Sequence, residues 1–309
     1  MSVKILNTEE VQQLINISSG FTVEGGNPRF KKIMQQLITS LCAVIEENDV
    51  TDEEFWDAVN YLHFLGGRQE AALLAAGLGL EHFLDLRADA KAAAAGDNGG
   101  TPRTIEGPLY VAGAPLSDKH ARMDDGKDNG EVMWLHGQVL DTDGQPVANA
   151  IVDIWHANTL GNYSFFDKSQ SEFNLRRRVK TGPDGRYSAR SIVPSGYGCP
   201  PDGATQALLN QLGRHGNRPA HIHFFVSAPG YKHLTTQINL DGDEYLWDDF
   251  AFATRDGLIA APVKVTDSQL AAERDIDGPH TEVRFDFALA PTQREQEEQR
   301  IKRLRALES

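Results

Sequence analysis

Cysteine is scarce in this sequence, and so are long apolar runs. Cys42 and Cys199 are the only thiols among 309 residues, which excludes a disulfide framework and a site built from thiolates. No run approaches the roughly 20 apolar residues that cross a bilayer. The N-terminus reaches Glu9 and Glu10 without the apolar segment of a signal peptide. These absences predict two free thiols and a cytoplasmic protein without a membrane span.

Positive charge is also in deficit. The 30 Lys and Arg residues face 44 Asp and Glu residues, a formal net charge of -14. Because nucleic-acid binding requires a basic face, nucleic acid is excluded as a partner. The run Arg176-Arg177-Arg178 is the exception, and we expect it on a solvated strand or turn. The length allows one large or two modest domains with a substantial core.

Helical periodicity dominates the first hundred residues. Apolar residues recur at helical spacing from Phe30 to Ile45, after the start signal Asn27-Pro28. Thr51 and Glu54 have the spacing of a capping box. The Ala- and Leu-rich segment 69–95 predicts helix contacts within or between subunits. Residues 96–100, rich in glycine, indicate a linker.

After this linker the pattern changes to short strands separated by turns. The predicted strands are 132–140, 150–156, 176–181, 186–190, 220–227, 235–240, 262–265 and 283–289. Pro183-Asp184-Gly185 predicts a hairpin between the third and fourth of them. So many short strands favour a β-sandwich. We therefore predict a helical N-terminal domain (1–100), an all-β sandwich catalytic domain (101–290) and a charged C-terminal helix (291–309).

One strand carries two histidines on the same face. Side chains alternate along a strand, so His221 and His223 point one way while Ile222 and Phe224 point into apolar packing. A His-x-His pair can offer two ligands to a metal. Taken alone, it fits two half-buried, hydrogen-bonded histidines slightly better.

Two tyrosines beside glycines are further candidate ligands. Tyr163 follows Gly161 by two residues, and Tyr197 lies between Gly196 and Gly198. Glycine lets the backbone turn tightly and bring a ring inward. Either tyrosine alone also fits a half-buried aromatic with its hydroxyl at the surface.

Together these residues form a pattern that resembles the intradiol ring-cleavage dioxygenases. The pattern comprises Leu135-x-Gly137-x-Val139, Gly144, Val147, Val152-Asp153-Ile154, Gly161-x-Tyr163, Tyr197 and Arg218-x-x-His221-x-His223. Residues 101–110 and the helical N-terminal part are similar to the catechol 1,2-dioxygenase branch of that family. The resemblance spans nearly the whole chain.

The resemblance implies a ferric iron and an oxygen-dependent reaction. Its ligands would be Tyr163, Tyr197, His221 and His223. Two phenolates and two neutral imidazoles suit Fe(III), unlike the His and carboxylate sites of Fe(II) oxygenases. The implied reaction is cleavage of catechol by dioxygen to cis,cis-muconate, in aromatic degradation through the β-ketoadipate pathway.

The same resemblance gives individual residues roles in catalysis. Tyr197 would leave the iron as catechol enters and accept one of its protons. Arg218 would stabilise negative charge that develops on the substrate, and Gln237 would be a second polar residue of the site.

An apolar pocket and two partners are implied as well. The pocket residues would be Leu73, Ala76, Ile105, Pro108, Leu109, Phe250 and Ala251, each of which could equally be ordinary core. The resemblance also implies a homodimer through the N-terminal helices, with phospholipid bound at the interface. Catechol, methylcatechols, chlorocatechols and hydroxyquinol all remain open as preferred substrate.

Two functions of other classes compete with this interpretation. A zinc hydrolase would use His221 and His223 with a third histidine or a carboxylate, and would give the tyrosines no role. A sandwich without catalytic activity would bind a partner through its helical segment, because the fold alone does not imply an enzyme.

Overall fold

The computed structural model describes residues 3–96 and 99–292, which form helices followed by a sandwich. The helices are α1 (Glu9–Ser18), α2 (Pro28–Glu47), α3 (Asp52–Gly67), α4 (Ala71–Gly77), α5 (Leu80–Ala94), α6 (Ala204–Gln211) and α7 (Ser268–Glu273). The strands are β1 (Leu116–Asp118), β2 (His120–Arg122), β3 (Val132–Asp141), β4 (Ile151–His156), β5 (Arg176–Lys180), β6 (Arg186–Ile192), β7 (Tyr197–Gly198), β8 (Asn217–Arg218), β9 (His221–Ser227), β10 (Leu234–Leu240), β11 (Ile259–Ala260), β12 (Val263–Val265), β13 (His280–Arg284) and β14 (Phe287–Leu289).

Local capping explains where the N-terminal helices begin. Asn27 accepts hydrogen bonds from the first backbone N–H groups of α2, and Pro28 occupies the first helical position. At α3, the Thr51 N–H donates to Glu54 Oε2 (2.9 Å) and the Glu54 N–H donates to Thr51 Oγ1 (3.2 Å). This is the reciprocal capping box that the sequence predicts.

The strands form the predicted β-sandwich. One sheet has the order β1-β5-β4-β9-β10-β11, and the other has the order β12-β13-β3-β6-β2 with β14 also paired to β3. The core between the sheets contains Ile154, Ile222, Phe224 and Leu135, all fully buried. The fold class is therefore confirmed.

Side-chain alternation gives the first sheet a second buried face. Trp155 of β4 pairs with His223 of β9, which pairs with Gln237 of β10, so these side chains share the face away from the core. Residues 101–112, which we call the strap, contribute to the cover of this face. The strap is tied to β10, where the Thr104 N–H donates to Thr235 O (3.1 Å). Trp155, His223 and Gln237 on this face are at most 2% exposed.

Several predictions differ from the structure in detail. Strands β5 and β6 lie in different sheets, so the predicted hairpin at Pro183-Asp184-Gly185 is wrong. Such turn residues permit a hairpin but equally permit a crossing between sheets. The predicted strand 283–289 is divided into β13 and β14. The predicted C-terminal helix 291–309 lies outside the described residues apart from its first two.

Domain limits and thiols are the remaining points of comparison. The chain divides into two compact units between Gly67 and Arg68, so α4 and α5 belong to the unit that holds the sandwich. The domain boundary at residue 100 stays a prediction. Cys42 and Cys199 are both free thiols. In the described part of the chain, no helix combines the length and apolarity that spanning a bilayer requires.

A buried histidine in β4 predicts a loss of stability in acid. The His156 ring donates through Nδ1 to Ala157 O and accepts through Nε2 from Ser191 Oγ, both at 2.7 Å. Burial lowers the pKa of His156 to about 4, against roughly 6.5 in an unfolded chain. Between these values the unfolded chain binds a proton that the folded chain does not. Lowering the pH through this window therefore costs about 3 kcal/mol at this site.

Replacing His156 with glutamine tests this expectation. The free energy of unfolding, measured by urea titration between pH 7.5 and pH 4, should depend less on pH in His156→Gln than in the native protein. Other buried histidines add their own pH dependence, so the difference between the two proteins is the quantity to compare. Equal pH dependence in both proteins would contradict the assignment.

Candidate active site

Four side-chain donors converge on one point beside the first sheet. The hydroxyl oxygens of Tyr163 and Tyr197 lie 3.3 Å apart. They lie 3.5 Å and 3.3 Å from His221 Nε2, which is 3.1 Å from His223 Nε2. Tyr163, His221 and His223 are buried, and Tyr197 is half-buried. The structure thus brings together the two tyrosines and two histidines singled out in the sequence.

Glycine allows the two tyrosine segments to approach each other closely. Gly161 has a φ of 78°, and a Cβ built on it would lie only 2.5 Å from Tyr197 Cβ. A Cβ on Gly196 would lie 2.6 Å from the backbone oxygen of Arg218. A larger residue at position 161 would push the two tyrosine loops apart, and one at position 196 would push the Tyr197 loop away from Arg218.

Burial keeps both histidines neutral at ordinary pH. Burial, followed by the nearby Arg218 charge, lowers the pKa of His221 to about 3. Burial, followed by His221, lowers the pKa of His223 well below its ordinary value. Since the His221 Nδ1 donates to Pro219 O (2.6 Å), its Nε2 is the unprotonated nitrogen. A neutral imidazole with an unprotonated nitrogen is the form that binds a metal.

The tyrosine environment is unfavourable for a phenolate unless a cation is bound. Burial, followed by Tyr197, raises the pKa of Tyr163 well above its ordinary value. A bound cation removes such a proton, just as it removes one from water or a thiol. Among the described residues, no third histidine, cysteine or carboxylate joins the two histidines. This donor set therefore does not suit the zinc hydrolase considered from the sequence.

The separations of the four donors fit a single metal ion. Ligands at about 2.0–2.1 Å from one centre lie about 3.3–3.4 Å apart when their arrangement is tetrahedral. Four of the six separations within the cluster lie between 3.1 and 3.5 Å and bracket this value. Two oxygen and two nitrogen donors are thus close enough together to bind one ion.

Arg218 lies against the cluster and is held there by a buried ion pair. Its Nη1 is 3.0 Å from His221 Nε2. Its Nε and Nη2 donate to the two carboxylate oxygens of Asp249 (both 3.1 Å), and Nη2 also donates to Gln237 Oε1 (2.8 Å). Burial is the largest single influence and lowers the pKa of Arg218, but the charge and hydrogen bonds of Asp249, together with Tyr197 and Tyr163, outweigh burial and raise it. Arg218 therefore carries a permanent positive charge at the cluster.

Arg176 corrects the expectation of a solvated arginine run. It is only 1% exposed, and its guanidinium lies 5.7 Å from the centre of the Tyr163 ring. Its Nε donates to Ser164 Oγ (2.9 Å) and its Nη2 to Ser164 O (3.1 Å). Arg177 and Arg178 are half-buried. Arg176 is interior because it is the cross-strand partner of Trp155, on the covered face of the sheet.

Most of the predicted pocket residues lie close together. One buried cluster contains Leu73, Ala76, Ile105, Phe250 and Ala251, together with Cys199, Leu209 and Ala253. Leu109 packs against a second cluster, which contains Tyr110, Trp155 and Tyr163. Pro108 is exposed at the surface. The predicted pocket residues thus fall into two apolar clusters joined in sequence by the strap, and the second cluster contains the donor Tyr163.

Comparison with known proteins identifies the family. A family model described as "Dioxygenase" matches residues 105–291, and one described as "Catechol dioxygenase N terminus" matches residues 27–96. The chain is 55% identical over 292 residues to the catechol 1,2-dioxygenase of Acinetobacter baylyi, covering 94% of both proteins. This chain belongs to the intradiol dioxygenase family. It is accordingly an enzyme of the dioxygenase class.

Further relatives support the assignment of this intradiol dioxygenase to its family. It is 60% identical over 256 residues to catechol 1,2-dioxygenase 2 of Acinetobacter lwoffii, covering 83% of this chain and 93% of the relative. The crystal structure of catechol 1,2-dioxygenase from Pseudomonas arvilla C-1 superposes with a TM-score of 0.95 at 59% identity, covering 99% of each chain. Enzymes of this family contain non-haem iron.

Two residues at the site of this intradiol dioxygenase were not found from the sequence. Asp249 holds Arg218, and its carboxylate also accepts from the backbone N–H groups of Ala251 and Ala253. Trp155 stacks on His223. Strand alternation in β4 would have put Trp155 on the face opposite Ile154, but no spacing in the sequence connects Asp249 with Arg218.

Proposed function

We propose that this protein is a catechol 1,2-dioxygenase that binds Fe(III) and cleaves catechol with dioxygen to cis,cis-muconate. The observation that carries the proposal is the convergence of Tyr163, Tyr197, His221 and His223 beside Arg218. The names of the relatives support catechol as the substrate. Bound Fe(III) would supply the Lewis acidity that removes protons from the two catechol hydroxyls and makes the ring electron-rich toward dioxygen.

The four ligands differ in their access to solvent, which suggests a division of roles. Tyr163, His221 and His223 are at most 3% exposed, whereas Tyr197 is half-buried. In our proposal, Tyr197 gives way to the incoming substrate and its Oη accepts one substrate proton. Tyr163 remains in place, because its ring is enclosed and Arg176 lies over it.

Arg218 and Gln237 would act on the substrate. The Arg218 guanidinium is fixed by Asp249 and Gln237, so it needs no reorganisation to face negative charge near His221. A preorganised cation that is itself buried, as Arg218 is at 4% exposure, stabilises developing charge more strongly than one in solvent. The catechol ring would lie against the apolar clusters of Leu73, Ala76, Ile105 and Leu109.

The proposal also covers the oligomeric state, a bound lipid, the cellular location and the pathway. Large apolar residues are exposed on α2 and α3, among them Phe30, Leu41 and Trp56, which fits a homodimer through these helices and lipid at its interface. We propose a cytoplasmic location and a role in aromatic degradation through the β-ketoadipate pathway. Size-exclusion chromatography with light scattering, and lipid extraction of the purified protein, test the two partners.

Purified protein tests the proposed reaction directly. We expect about one iron per chain, a visible phenolate-to-Fe(III) absorption band that gives a red-brown colour, and uptake of one dioxygen per catechol with muconate as product. Colourless protein with stoichiometric zinc, or no oxygen uptake with catechol, would overturn the proposal. The same assay with methylcatechol, chlorocatechol and hydroxyquinol ranks the substrates.

The wall of the proposed pocket predicts a change in substrate preference. Leu73 is half-buried at the edge of the cluster that contains Ala76 and Phe250. Leu73→Ala should raise kcat/KM for 4-methylcatechol relative to catechol by about tenfold, since one methyl group in an apolar pocket is worth this much or more. Leu74→Ala, on the same helix but outside the cluster, is the control. An unchanged preference in Leu73→Ala would remove this residue from the pocket.

A further inference from the structure

The two histidines of the site are held in their orientations by different means. The Nδ1 of His221 donates to the backbone oxygen of Pro219 at 2.6 Å. The Nδ1 of His223 is buried and has no hydrogen-bond partner among the described residues. Histidine ligands of metals almost always donate their second nitrogen to a fixed acceptor, which sets the tautomer and the ring plane. Something other than a protein hydrogen bond must therefore orient His223.

The indole of Trp155 lies flat against the His223 ring. The ring centres are 5.0 Å apart and the planes differ by only 5°. The contact follows from strand register, because Trp155 of β4 and His223 of β9 are direct cross-strand partners. Such partners lie side by side on one face of the sheet. Trp155 is 1% exposed and His223 is 2% exposed.

Aromatic packing alone fixes the indole. Trp155 makes edge contacts with Tyr110 (5.0 Å between ring centres) and with Phe225 (4.7 Å). Its own Nε1 is buried without a hydrogen-bond partner in the described part of the chain. A buried tryptophan normally finds such a partner. The position of the indole is therefore set by its shape and not by its polar atom.

Two further residues lie close to the His223 ring. One is Gly107 of the strap, whose backbone passes near enough that an added Cβ would lie 3.6 Å from His223 Cε1. His221 lies edge-on at 4.7 Å between ring centres. A flip that exchanged Nδ1 and Nε2 would turn the ring through an orientation perpendicular to its present plane. The parallel contact between the His223 ring and the indole is lost in that orientation.

We propose that Trp155 is the positioning residue for His223, doing by stacking what the Pro219 carbonyl does for His221 by a hydrogen bond. The inference rests on the proposed function in one respect, since it takes His223 as an iron ligand. A flat ring at position 155 then keeps Nε2 directed at the iron. A side chain of similar bulk without a flat face lets His223 rotate and release the metal.

The rate of iron loss to a chelator tests this role without relying on turnover. Iron-loaded native protein, Trp155→Phe and Trp155→Met are mixed with excess chelator, and the decay of the visible band is followed. We expect Trp155→Phe to lose iron at a rate within about threefold of the native rate. Trp155→Met should lose iron at least about tenfold faster than the native protein, which is the usual scale of effect for residues that orient metal ligands. Trp155→Leu is a second variant without a flat ring, should Trp155→Met not fold.

A core variant separates positioning from general loss of stability. Phe287 is fully buried in the other sheet, so Phe287→Leu should lower the unfolding temperature without changing the rate of iron loss. Native-rate iron loss in Trp155→Met and Trp155→Leu would overturn the inference, as would equal acceleration in Phe287→Leu. Native protein that binds no iron would instead overturn the proposed function, so the two failures are distinguishable.

Discussion

Replacing Tyr163 with phenylalanine will abolish most of the visible absorption and lower activity by at least about 10³-fold. The substitution removes a single oxygen, and the ring is enclosed among buried residues beside Arg176. Loss of residues that merely orient a ligand costs about 10–100-fold, so loss of a ligand itself should cost more. The measurements are the absorption spectrum, iron content and oxygen uptake with catechol.

A second buried tyrosine provides the control for this prediction. Tyr187 is 2% exposed and donates its hydroxyl to Phe285 O at 2.9 Å, within the other sheet. Tyr187→Phe removes the same atom from an equally enclosed ring and should leave colour and turnover unchanged. If Tyr163→Phe keeps the native spectrum, Tyr163 is not a ligand.

Arg218→Gln will lower kcat by roughly 10²–10³-fold, as expected when a preorganised group that stabilises developing charge is removed. It will also destabilise the fold by about 3–5 kcal/mol, because the Asp249 carboxylate is left buried without its cation. Arg218→Lys keeps the charge but cannot reproduce the fork that bonds Asp249 and Gln237 together. Relative to Arg218→Gln, Arg218→Lys should therefore recover more of the lost stability than of the lost kcat. Urea unfolding and steady-state kinetics report the two effects.

The double variant Arg218→Gln/Asp249→Asn separates the structural and catalytic parts of this effect. Removing both charges abolishes the unpaired carboxylate, so more than half of the lost stability should return. Turnover should stay at the level of Arg218→Gln. Recovery of kcat together with stability would reduce Arg218 to a structural residue.

The strands and the convergence of the histidines were predictable from local pattern. The alternation in Ile222, His223 and Phe224 needs only the geometry of a strand, and β9 realises it. Capping residues such as Asn27 and Thr51 likewise act within a few residues of their own position. In these elements the determining contacts are local, whereas the turn at Pro183-Asp184-Gly185 joins strands whose sheet the local pattern could not give.

Contacts between distant segments were beyond the reach of local pattern. Arg176 was predicted to be part of a solvated run. Its burial depends on the pairing of β5 with β4, which the local sequence does not show. Asp249 lies 31 residues from Arg218 and reaches it only through the fold. For the two tyrosines, adjacent glycines allowed an inward turn, but only the family resemblance connected them with the histidines.

Because side chains alternate along β9, the same strand register determines both the packing of the core and the position of the metal ligands. Ile222, Phe224 and Val226 fill the space between the sheets, while His221 and His223 face the opposite side. A slip of one residue in pairing would move the histidines into the apolar core and the apolar side chains to the site. Such a chain would lose its core and its ligands together. A chain in which β9 pairs one residue out of register therefore cannot form a well-packed sandwich. Iron uptake by refolded protein thus reports whether β9 has the native register.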